Sequence, residues 1–460
     1  MRYYSTRGKT EAVSFTVAAL TGLASDGGLF VPEEIPPYPQ AVLSSLGTMN
    51  FHDIAFETIR PYVYPDIPDP VLEDLVHGAY SFTAPLVGVG DRLVLELFHG
   101  PTAAFKDFGA RFMARAFSYL RRGEDKPLRV LVATSGDTGG AVADGFYGVP
   151  GISVTVLYPK GRVSPLQERQ IAGLGGNISA LAVEGSFDDC QSLVKTAFGY
   201  AALRERWVLS SANSINVSRL IPQAVYYAAA AGRVLGGRID EDGEATPRLS
   251  GAALRTGGSS GSGKARGPLP RGGEALICCV PSGNFGNLTA GLYAMKMGAP
   301  IRGFIAATNI NKTVPDYLAS GNYEVRPSRA TISNAMDVGA PSNFERMAAH
   351  FSHGEMRSLI RGVSVSDDAT RQTIRRVRRD YGYFLDPHSA VGWEAVDLLS
   401  SEREGEYFAL LATAHPAKFA ETVEPLTGPV PLPLSLQRVS ERTVQARTIP
   451  ADISALAEAL

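Results

Sequence analysis

Short apolar runs and helical patterns alternate along residues 128–209, and this alternation restricts the fold more than any other feature of the sequence. The apolar runs predict strands at 128–132, 152–158, 178–183 and 207–209, and the spacing of apolar residues between them predicts helices. Strands that alternate with helices form right-handed βαβ units, which build a parallel sheet covered on both faces. We therefore expect an α/β fold with doubly wound, mostly parallel sheets.

The same pattern recurs on both sides of this segment. Further strands are predicted at 93–97, 275–280, 301–308 and 407–412. A chain of 460 residues is long enough for two or three domains. We predict three regions, namely an N-terminal region (1–95), an α/β domain (96–220) and a larger α/β domain (221–460).

One segment interrupts the larger predicted α/β domain (221–460). Residues 236–273 contain 11 glycines and three prolines and offer few apolar side chains for burial. Loops longer than about 12–15 residues are uncommon inside compact domains unless they are functional or serve as linkers. We predict that 236–273 is a disordered insertion on the surface.

The composition limits the partners of the protein. A net charge of −2 gives no general attraction to nucleic acid or to anionic membranes, so we expect a small-molecule partner held by a local site. Three cysteines are too few for a disulfide framework, and the first residues lack the apolar core of a signal peptide. We therefore predict a cytoplasmic protein that is a monomer or a weak oligomer. No metal site is expected, because the HxxH pair of His350 and His353 lacks further ligands at zinc-like spacing.

A lysine in the first quarter of the chain has an unusual local environment. Lys106 follows a predicted strand and the turn at 100–101, and it begins an amphipathic helical pattern. Free backbone N–H groups and the helix dipole make such a position electropositive, which disfavours a cation. A lysine with its ordinary pKa of about 10.4 is almost fully protonated at neutral pH and is therefore a poor nucleophile. An apolar, electropositive turn disfavours the charged form and so increases the fraction of neutral amine. The alternative is a surface lysine whose stem packs on Phe105 and Phe108.

Two predicted strand-to-helix turns are rich in glycine, SGDTGG at 135–140 and SGNFGN at 282–287. Glycine lets several backbone N–H groups converge at a helix N-terminus, where they bind a phosphate or a carboxylate. Neither turn fits the dinucleotide or the Walker pattern. A tight structural turn explains either one alone, but a buried lysine together with two anion-binding turns suits pyridoxal phosphate, a phosphorylated aldehyde.

Longer motifs extend this interpretation along the chain. They are GLASDGGLFVP at 22–32, ELFHGPT at 96–102, AFKD at 104–107, TSGDTG at 134–139, PSGNFGN at 281–287 and TAHP at 413–416. In these motifs and their order the chain resembles the threonine synthases, a family of fold type II pyridoxal-phosphate enzymes, over nearly its full length. The segment at 236–273 departs from the family pattern.

The resemblance implies roles for individual residues. Lys106 is expected to hold the cofactor as an imine and to shuttle protons, and Thr413 is expected to face the pyridine nitrogen. The residues expected to hold the cofactor phosphate are Gly283, Asn284, Phe285, Gly286 and Asn287. The residues that match the loop facing the substrate carboxylate are Ser135, Asp137 and Thr138.

The family's substrate, O-phosphohomoserine, carries a second phosphate and so requires a second anion site. Five residues are the candidates for this site, namely Lys160, Arg162, Ser214, Asn216 and Arg219. Arginine suits bidentate binding of phosphate, although Arg219 fits a structural ion pair as well.

The implied reaction is a β,γ-elimination of phosphate followed by hydration, which gives L-threonine. A related phospho-lyase, which forms 2-oxobutanoate, ammonia and phosphate, is an alternative that the cofactor motifs do not separate. An inactive homologue that serves as a binding scaffold is disfavoured, because Lys106, both glycine-rich turns and Thr413 are all present.

Overall fold

The computed structural model describes residues 1–237, 276–400 and 407–460. The predicted insertion at 236–273 lies almost entirely outside the described residues. The strands in the described ranges are β1 (Tyr3–Ser5), β2 (Phe30–Pro32), β3 (Leu86–Val89), β4 (Arg92–Glu96), β5 (Leu128–Ala133), β6 (Ile152–Pro159), β7 (Ile178–Glu184), β8 (Val208–Ser211), β9 (Leu276–Pro281), β10 (Ile301–Thr308), β11 (Ile360–Ser364), β12 (Tyr407–Ala412) and β13 (Ala446–Pro450).

Helices connect and cover these strands. They are α1 (Phe15–Thr21), α2 (Gln40–Ser45), α3 (Phe51–Val63), α4 (Asp69–Ala79), α5 (Lys106–Leu120), α6 (Asp137–Phe146), α7 (Pro165–Ala172), α8 (Phe187–Gly199), α9 (Ala201–Arg206), α10 (Val217–Leu220), α11 (Ala224–Leu235), α12 (Gly286–Lys296), α13 (Thr313–Ser320), α14 (Phe344–His350), α15 (His353–Leu359), α16 (Asp367–Tyr381), α17 (Pro387–Ser400), α18 (Ala420–Thr427), α19 (Leu434–Ser440) and α20 (Ile453–Ala459). Short 3-10 turns lie at Ile221–Gln223, Asn334–Met336 and Pro416–Phe419. None of the described helices is long and apolar enough to cross a membrane.

Two large sheets organise the fold. The six-stranded sheet has the order β11-β10-β9-β12-β4-β3 and is parallel except for β3, which runs antiparallel to β4. The five-stranded sheet has the order β13-β7-β6-β5-β8 and is parallel throughout. These sheets confirm the predicted α/β class with mostly parallel strands.

Each sheet is buried on both faces. Alternate residues of β9 show this, because Cys278 and Val280 belong to the largest hydrophobic cluster, whereas Ile277 and Cys279 belong to a second cluster beneath α17. In β5, Val130 joins the largest cluster, whereas Leu131 and Ala133 join a third. A strand that is covered on both faces needs apolar residues at successive positions, and this explains the continuous apolar runs in the sequence.

The region after β5 differs from the sequence expectation. The pattern predicts a helix from Ala141, but α6 begins at Asp137, four residues earlier. The Thr134 hydroxyl accepts hydrogen bonds from the N–H groups of Gly136 and Gly139, both at 2.9 Å, and thereby fixes the turn before the helix. Gly136 has a φ of 143°, which residues with a side chain rarely adopt. Most of the glycine-rich turn is therefore the first turn of α6.

The sheet topology suggests a refinement of the predicted domains. Strand β13 pairs with β7, so the end of the chain returns to the five-stranded sheet. Strand β4 pairs with β12 of the other sheet. The predicted limits at 95 and 220 stay predictions, and we propose that the smaller domain comprises α5 to β8 together with β13 and α20.

Helix α5 is held close to α10, and this contact is testable. A Cβ atom on Gly109 of α5 would lie 2.5 Å from the backbone oxygen of Arg219. Alanine normally stabilises a helix relative to glycine by about 0.5–1 kcal/mol. We predict that Gly109→Ala instead lowers the free energy of unfolding by about 1–3 kcal/mol. The backbone oxygen of Arg219 cannot easily move away from the added methyl group, unlike the end of a flexible side chain.

Gly354 of α15 is the matched control, since a Cβ atom added there would meet no heavy atom of the described ranges within 4 Å. Gly354→Ala should leave the midpoint of urea unfolding unchanged or raise it. Equal midpoints for Gly109→Ala and the wild type would contradict the close packing of α5 on α10.

Candidate active site

A cavity of about 520 Å³ lies where strands of both sheets end. Its wall includes Ala133 and Pro281, the last residues of β5 and β9, and Thr413, which directly follows β12. Ligands of parallel α/β sheets bind beyond the carboxyl ends of the strands. The volume lies within the range of about 300–1,000 Å³ that small-molecule and cofactor sites occupy.

Backbone hydrogen bonds place Lys106 in this cavity. The N–H of Phe105 donates to the carbonyl of Thr413 at 2.9 Å, and the N–H of His415 donates to the carbonyl of Ala103 at 3.0 Å. This short antiparallel pairing ties the segment before α5 to the segment after β12. Lys106 is the first residue of α5 and therefore lies beside Thr413 in the cavity wall.

The side chain of Lys106 is mostly buried, with 15% of its surface exposed, and is not directed to solvent. Its Nζ lies 3.5 Å from an Oδ of Asp137 and 5.3 Å from the centre of the Phe105 ring. Burial lowers the pKa of Lys106; Asp137 opposes this shift, and the cations Lys418 and Arg219 add to it. This environment favours the neutral amine more than water does, and it does not fit a surface lysine.

Asp137 is the centre of the charged groups around Lys106. One of its oxygens accepts hydrogen bonds from Lys418 Nζ at 2.8 Å and from Gln167 Nε2 at 2.9 Å, and the other faces Lys106. Burial alone would raise the pKa of Asp137, but Lys418 and Lys106 hold it well below its usual range. The side chain of Asp137 is therefore an anion in contact with two lysines, and we expect that this carboxylate does not itself bind the substrate carboxylate.

The first glycine-rich turn offers unpaired donors to the cavity. Ser135, Asp137 and Thr138 line the wall. Within the described ranges, the backbone N–H groups of these three residues donate to no protein acceptor. They lie at the N-terminus of α6, where the helix dipole also favours an anion.

The second glycine-rich turn forms the opposite part of the wall. Residues 283–287 all line the cavity. Their backbone N–H groups likewise find no protein acceptor in the described part of the chain, and they precede or begin α12. A Cβ on Gly283 would lie 2.7 Å from the carbonyl oxygen of Ala335, so only glycine fits there. Phe285 has a φ of 59°, an uncommon backbone conformation for a residue with a side chain.

Two asparagine side chains in this turn are held by neighbours. Asn284 donates to the hydroxyl of Ser214 at 2.5 Å and accepts from the N–H of Ser342 at 2.5 Å. Asn287 Oδ1 accepts from the hydroxyls of Tyr226 and Tyr227 at 2.6 and 2.8 Å. Its Nδ2 is buried and has no partner among the described residues, so this amide is oriented with a donor free.

Arg219 lines the cavity as a buried cation. Its Nη1 donates to the carbonyl of Ala212 at 2.5 Å, and its Nε finds no partner in the part of the chain that the structure describes. Burial lowers the pKa of Arg219 to about 10, and the nearby Asp107 opposes this shift. Burial also raises the pKa of Asp107 to about 6, against two hydrogen bonds from Thr102. An anion bound beside Arg219 would accept a hydrogen bond from this Nε–H group.

Three of the five residues suggested for the substrate phosphate do not line the cavity. Asn216 is fully buried and binds the carbonyls of Ala19 and Ser211, and it accepts from Ser218, which favours a structural role. Lys160 is exposed and lies 3.4 Å from Glu184. Arg162 is also exposed. Ser214 and Arg219 are the two that reach the wall.

Some residues of the site escape sequence reasoning. Lys418 lies just after the TAHP motif, which follows the predicted strand at 407–412. Its position after the end of a strand could therefore have marked it as a site residue. His388 lines the cavity; its Nε2 accepts from the N–H of Ala335, and its Nδ1 contacts Asp386 at 2.7 Å. Arg346 is fully buried and donates to Phe30, Ser214, Ile215 and Asn343, which fixes the loop carrying Ser214. No local pattern marks His388 or Arg346.

Among the described residues, no cluster of three or more His, Cys, Asp or Glu side chains is placed to hold a metal.

Comparisons with known proteins agree with this geometry. Family models match three parts of the chain: threonine synthase N terminus at 2–80, pyridoxal-phosphate dependent enzyme at 85–231, and threonine synthase, C-terminal, at 389–460. The threonine synthase of Escherichia coli (strain K12) is 40% identical over 458 residues, which are 99% of this chain and 98% of the relative. The chain belongs to the threonine synthase family.

Solved structures extend the agreement to three dimensions. The crystal structure of threonine synthase from Escherichia coli matches with a TM-score of 0.85 and 39% identity, and covers 100% of this chain and 99% of that one. The X-ray structure of PLP-bound threonine synthase from Brucella melitensis matches with a TM-score of 0.85 and 34% identity, over 100% and 98% of the two chains. The predicted fold type II class, pyridoxal-phosphate dependence and threonine synthase activity are confirmed at the level of the family, and the phospho-lyase alternative is not favoured.

The residues of the cavity fit pyridoxal phosphate. The unpaired N–H groups of 283–286 provide an anion site at the start of α12. Lys106 supplies a buried amine in the same cavity, and Thr413 supplies an uncharged hydroxyl at the end of β12. These features match the phosphate, the aldehyde and the pyridine ring of the cofactor.

We predict that the purified protein has a visible absorption band from bound pyridoxal phosphate and that Lys106→Ala abolishes it. The amine that binds the aldehyde is then missing, whereas the phosphate site is intact. Lys195→Ala, which changes an exposed lysine of α8, is the control and should keep the full band. An undiminished band in Lys106→Ala, measured with excess cofactor removed, would rule out Lys106 as the attachment point.

Proposed function

We propose that this protein converts O-phospho-L-homoserine and water into L-threonine and phosphate. The observation that supports this most strongly is one cavity that holds a buried lysine, Lys106, between the N-termini of α6 and α12. A phosphorylated cofactor and a phosphorylated amino acid require several separate anion sites and one base. The cavity offers these groups together.

The anion sites divide among the ligands as follows. The N-terminus of α12 holds the cofactor phosphate, and the N–H groups and hydroxyls of Ser135 and Thr138 hold the substrate carboxylate. Arg219 and Ser214 hold the substrate phosphate, because both line the cavity and Arg219 has a free buried donor. Asp137 takes part as the partner of Lys106 rather than as a ligand of the substrate.

Lys106 acts as the base of the reaction. When bound, pyridoxal phosphate supplies an electron sink that makes the α-proton of the amino acid removable. The neutral Lys106 amine accepts this proton at Nζ, and Asp137, 3.5 Å away, stabilises the ammonium group that results. The same amine returns a proton to the carbon skeleton later in the reaction.

The net reaction breaks one bond to oxygen and forms another. The Cα proton and one Cβ proton are removed, and the Cγ–O bond of the substrate breaks with loss of phosphate. The oxygen of water then forms a bond to Cβ, the proton is restored to Cα, and Cγ gains a proton. Arg219 and Ser214 retain the released phosphate beside the reacting carbons. A retained phosphate can position the water and partly deprotonate it, which favours hydration over release of an unsaturated product.

The cellular setting is also a proposal. The three cysteines are free and buried, which fits a reducing compartment such as the cytoplasm. We propose a monomer or weak oligomer that binds neither nucleic acid nor membranes, and light scattering of the purified protein tests the oligomeric state.

Product identification tests the proposed function. Incubation of the purified holoenzyme with O-phosphohomoserine should release phosphate and threonine in equal amounts, as measured by a phosphate assay and chromatography. Formation of mainly 2-oxobutanoate and ammonia would show a phospho-lyase, and no phosphate release would show that this compound is not the substrate.

Arg219 and Lys160 provide a matched test of the substrate phosphate site. We predict that Arg219→Ala raises KM for O-phosphohomoserine by about tenfold or more, as expected for loss of a charge-assisted contact, and diverts part of the product to 2-oxobutanoate. Lys160→Ala, which changes an exposed lysine outside the cavity, should raise KM much less. Equal effects of the two substitutions, in variants with wild-type visible spectra, would contradict the assignment.

A further inference from the structure

The structure contains a second buried lysine beside the first. The side chain of Lys418 is completely buried, and its Nζ donates to Asp137 Oδ1 and to the carbonyl of Thr102, both at 2.8 Å. It lies in the 3-10 turn Pro416–Phe419, immediately after the segment that pairs with residues 103–105. A fully buried lysine is rare unless it is paired, and here the pairing is with the carboxylate that also faces Lys106.

The two lysines are not equivalent toward Asp137. Lys418 approaches at 2.8 Å with a direct hydrogen bond, whereas Lys106 lies at 3.5 Å from the other oxygen. Gln167 adds a neutral hydrogen bond to the oxygen that Lys418 binds. Lys418 is therefore the main counter-ion of Asp137, and Lys106 is held loosely.

The remaining charged groups near the pair support this division. Asp107 lies close enough to Lys418 to interact electrostatically, but burial raises its pKa to about 6. Arg219 faces Lys106 from α10 and disfavours a second cation there. With Lys418 present, Asp137 has a hydrogen-bonded counter-ion besides Lys106, so its charge does not depend on Lys106 alone.

We propose that Lys418 is a positioning residue for the reaction: it serves as the fixed counter-ion of Asp137 and so releases the Lys106 amine to react. This inference rests on the proposed function only in that Lys106 is the reacting amine. Without Lys418, Asp137 would bind Lys106 as its sole cation and would hold the Lys106 nitrogen in its positively charged form. The amine would then leave the carboxylate less readily and accept a proton less readily.

Lys418→Met tests the proposal, because it keeps the length of the side chain and removes its charge. The visible absorption of the holoenzyme, recorded without substrate from about pH 6 to about pH 10, reports the protonation of the Lys106 nitrogen. We expect the spectral change of Lys418→Met to occur at a pH at least about one unit higher than in the wild type. We also expect kcat to fall by about tenfold or more, with a smaller change in KM.

Gln167→Met is the matched control, since it removes a neutral hydrogen bond from the same oxygen of Asp137. It should leave the spectral midpoint within about 0.3 pH unit of the wild type. Coincident midpoints for Lys418→Met and the wild type would overturn the proposal, as would an equal shift in Gln167→Met. The spectra are recorded without substrate, so this result stands apart from the identity of the product.

If Lys418→Met does not fold, a double variant tests the proposed role of Lys418 instead. Asp137→Asn combined with Lys418→Met leaves no unpaired buried charge, so the proposal predicts a folded holoenzyme without the upward spectral shift. A double variant that also fails to fold would show that Lys418 is needed to hold the carbonyl of Thr102, and it would overturn the proposed role.

Discussion

A single buried carboxylate determines how the active site is assembled. Asp137 begins α6, and its oxygens meet Lys106 at the start of α5 and Lys418 beyond β12. A buried carboxylate without partners is costly, so folding must bring these distant segments together. The charges that satisfy Asp137 also surround the cavity between the two sheets. The stability of this region and the chemistry of Lys106 therefore depend on the same contacts.

Much of the fold and part of the site could be predicted, because their signals are local. Apolar runs locate β5 and β9, since strands covered on both faces need continuous apolar side chains. Lys106 stands out because an apolar helix start is an odd place for a cation. The turn at 283–287 could be recognised because close approach of a backbone to an anion requires glycine, and Gly283 indeed has no room for a side chain.

The rest depends on contacts between distant parts of the chain. Lys160 and Arg219 both carry a charge near a strand end, but one points to solvent beside Glu184 and the other is buried in the cavity wall. Asn216 resembles a ligand in its motif, yet its side chain caps α10. Lys418 acquires its partner only when the end of the chain packs against α6. No periodicity reports such choices, because each depends on what surrounds the side chain after folding, and the Asp137 partner of Lys418 lies in a distant part of the sequence.

We propose that Lys106, and not its buried neighbour Lys418, holds the cofactor. Borohydride reduction of the holoenzyme, followed by protease digestion and mass spectrometry, identifies the lysine that becomes permanently bonded to the pyridoxyl group. We predict that the group is found on the peptide containing Lys106, because Lys418 is committed to Asp137 and to the carbonyl of Thr102. A pyridoxyl group on Lys418, or one shared between the two lysines, would contradict this claim.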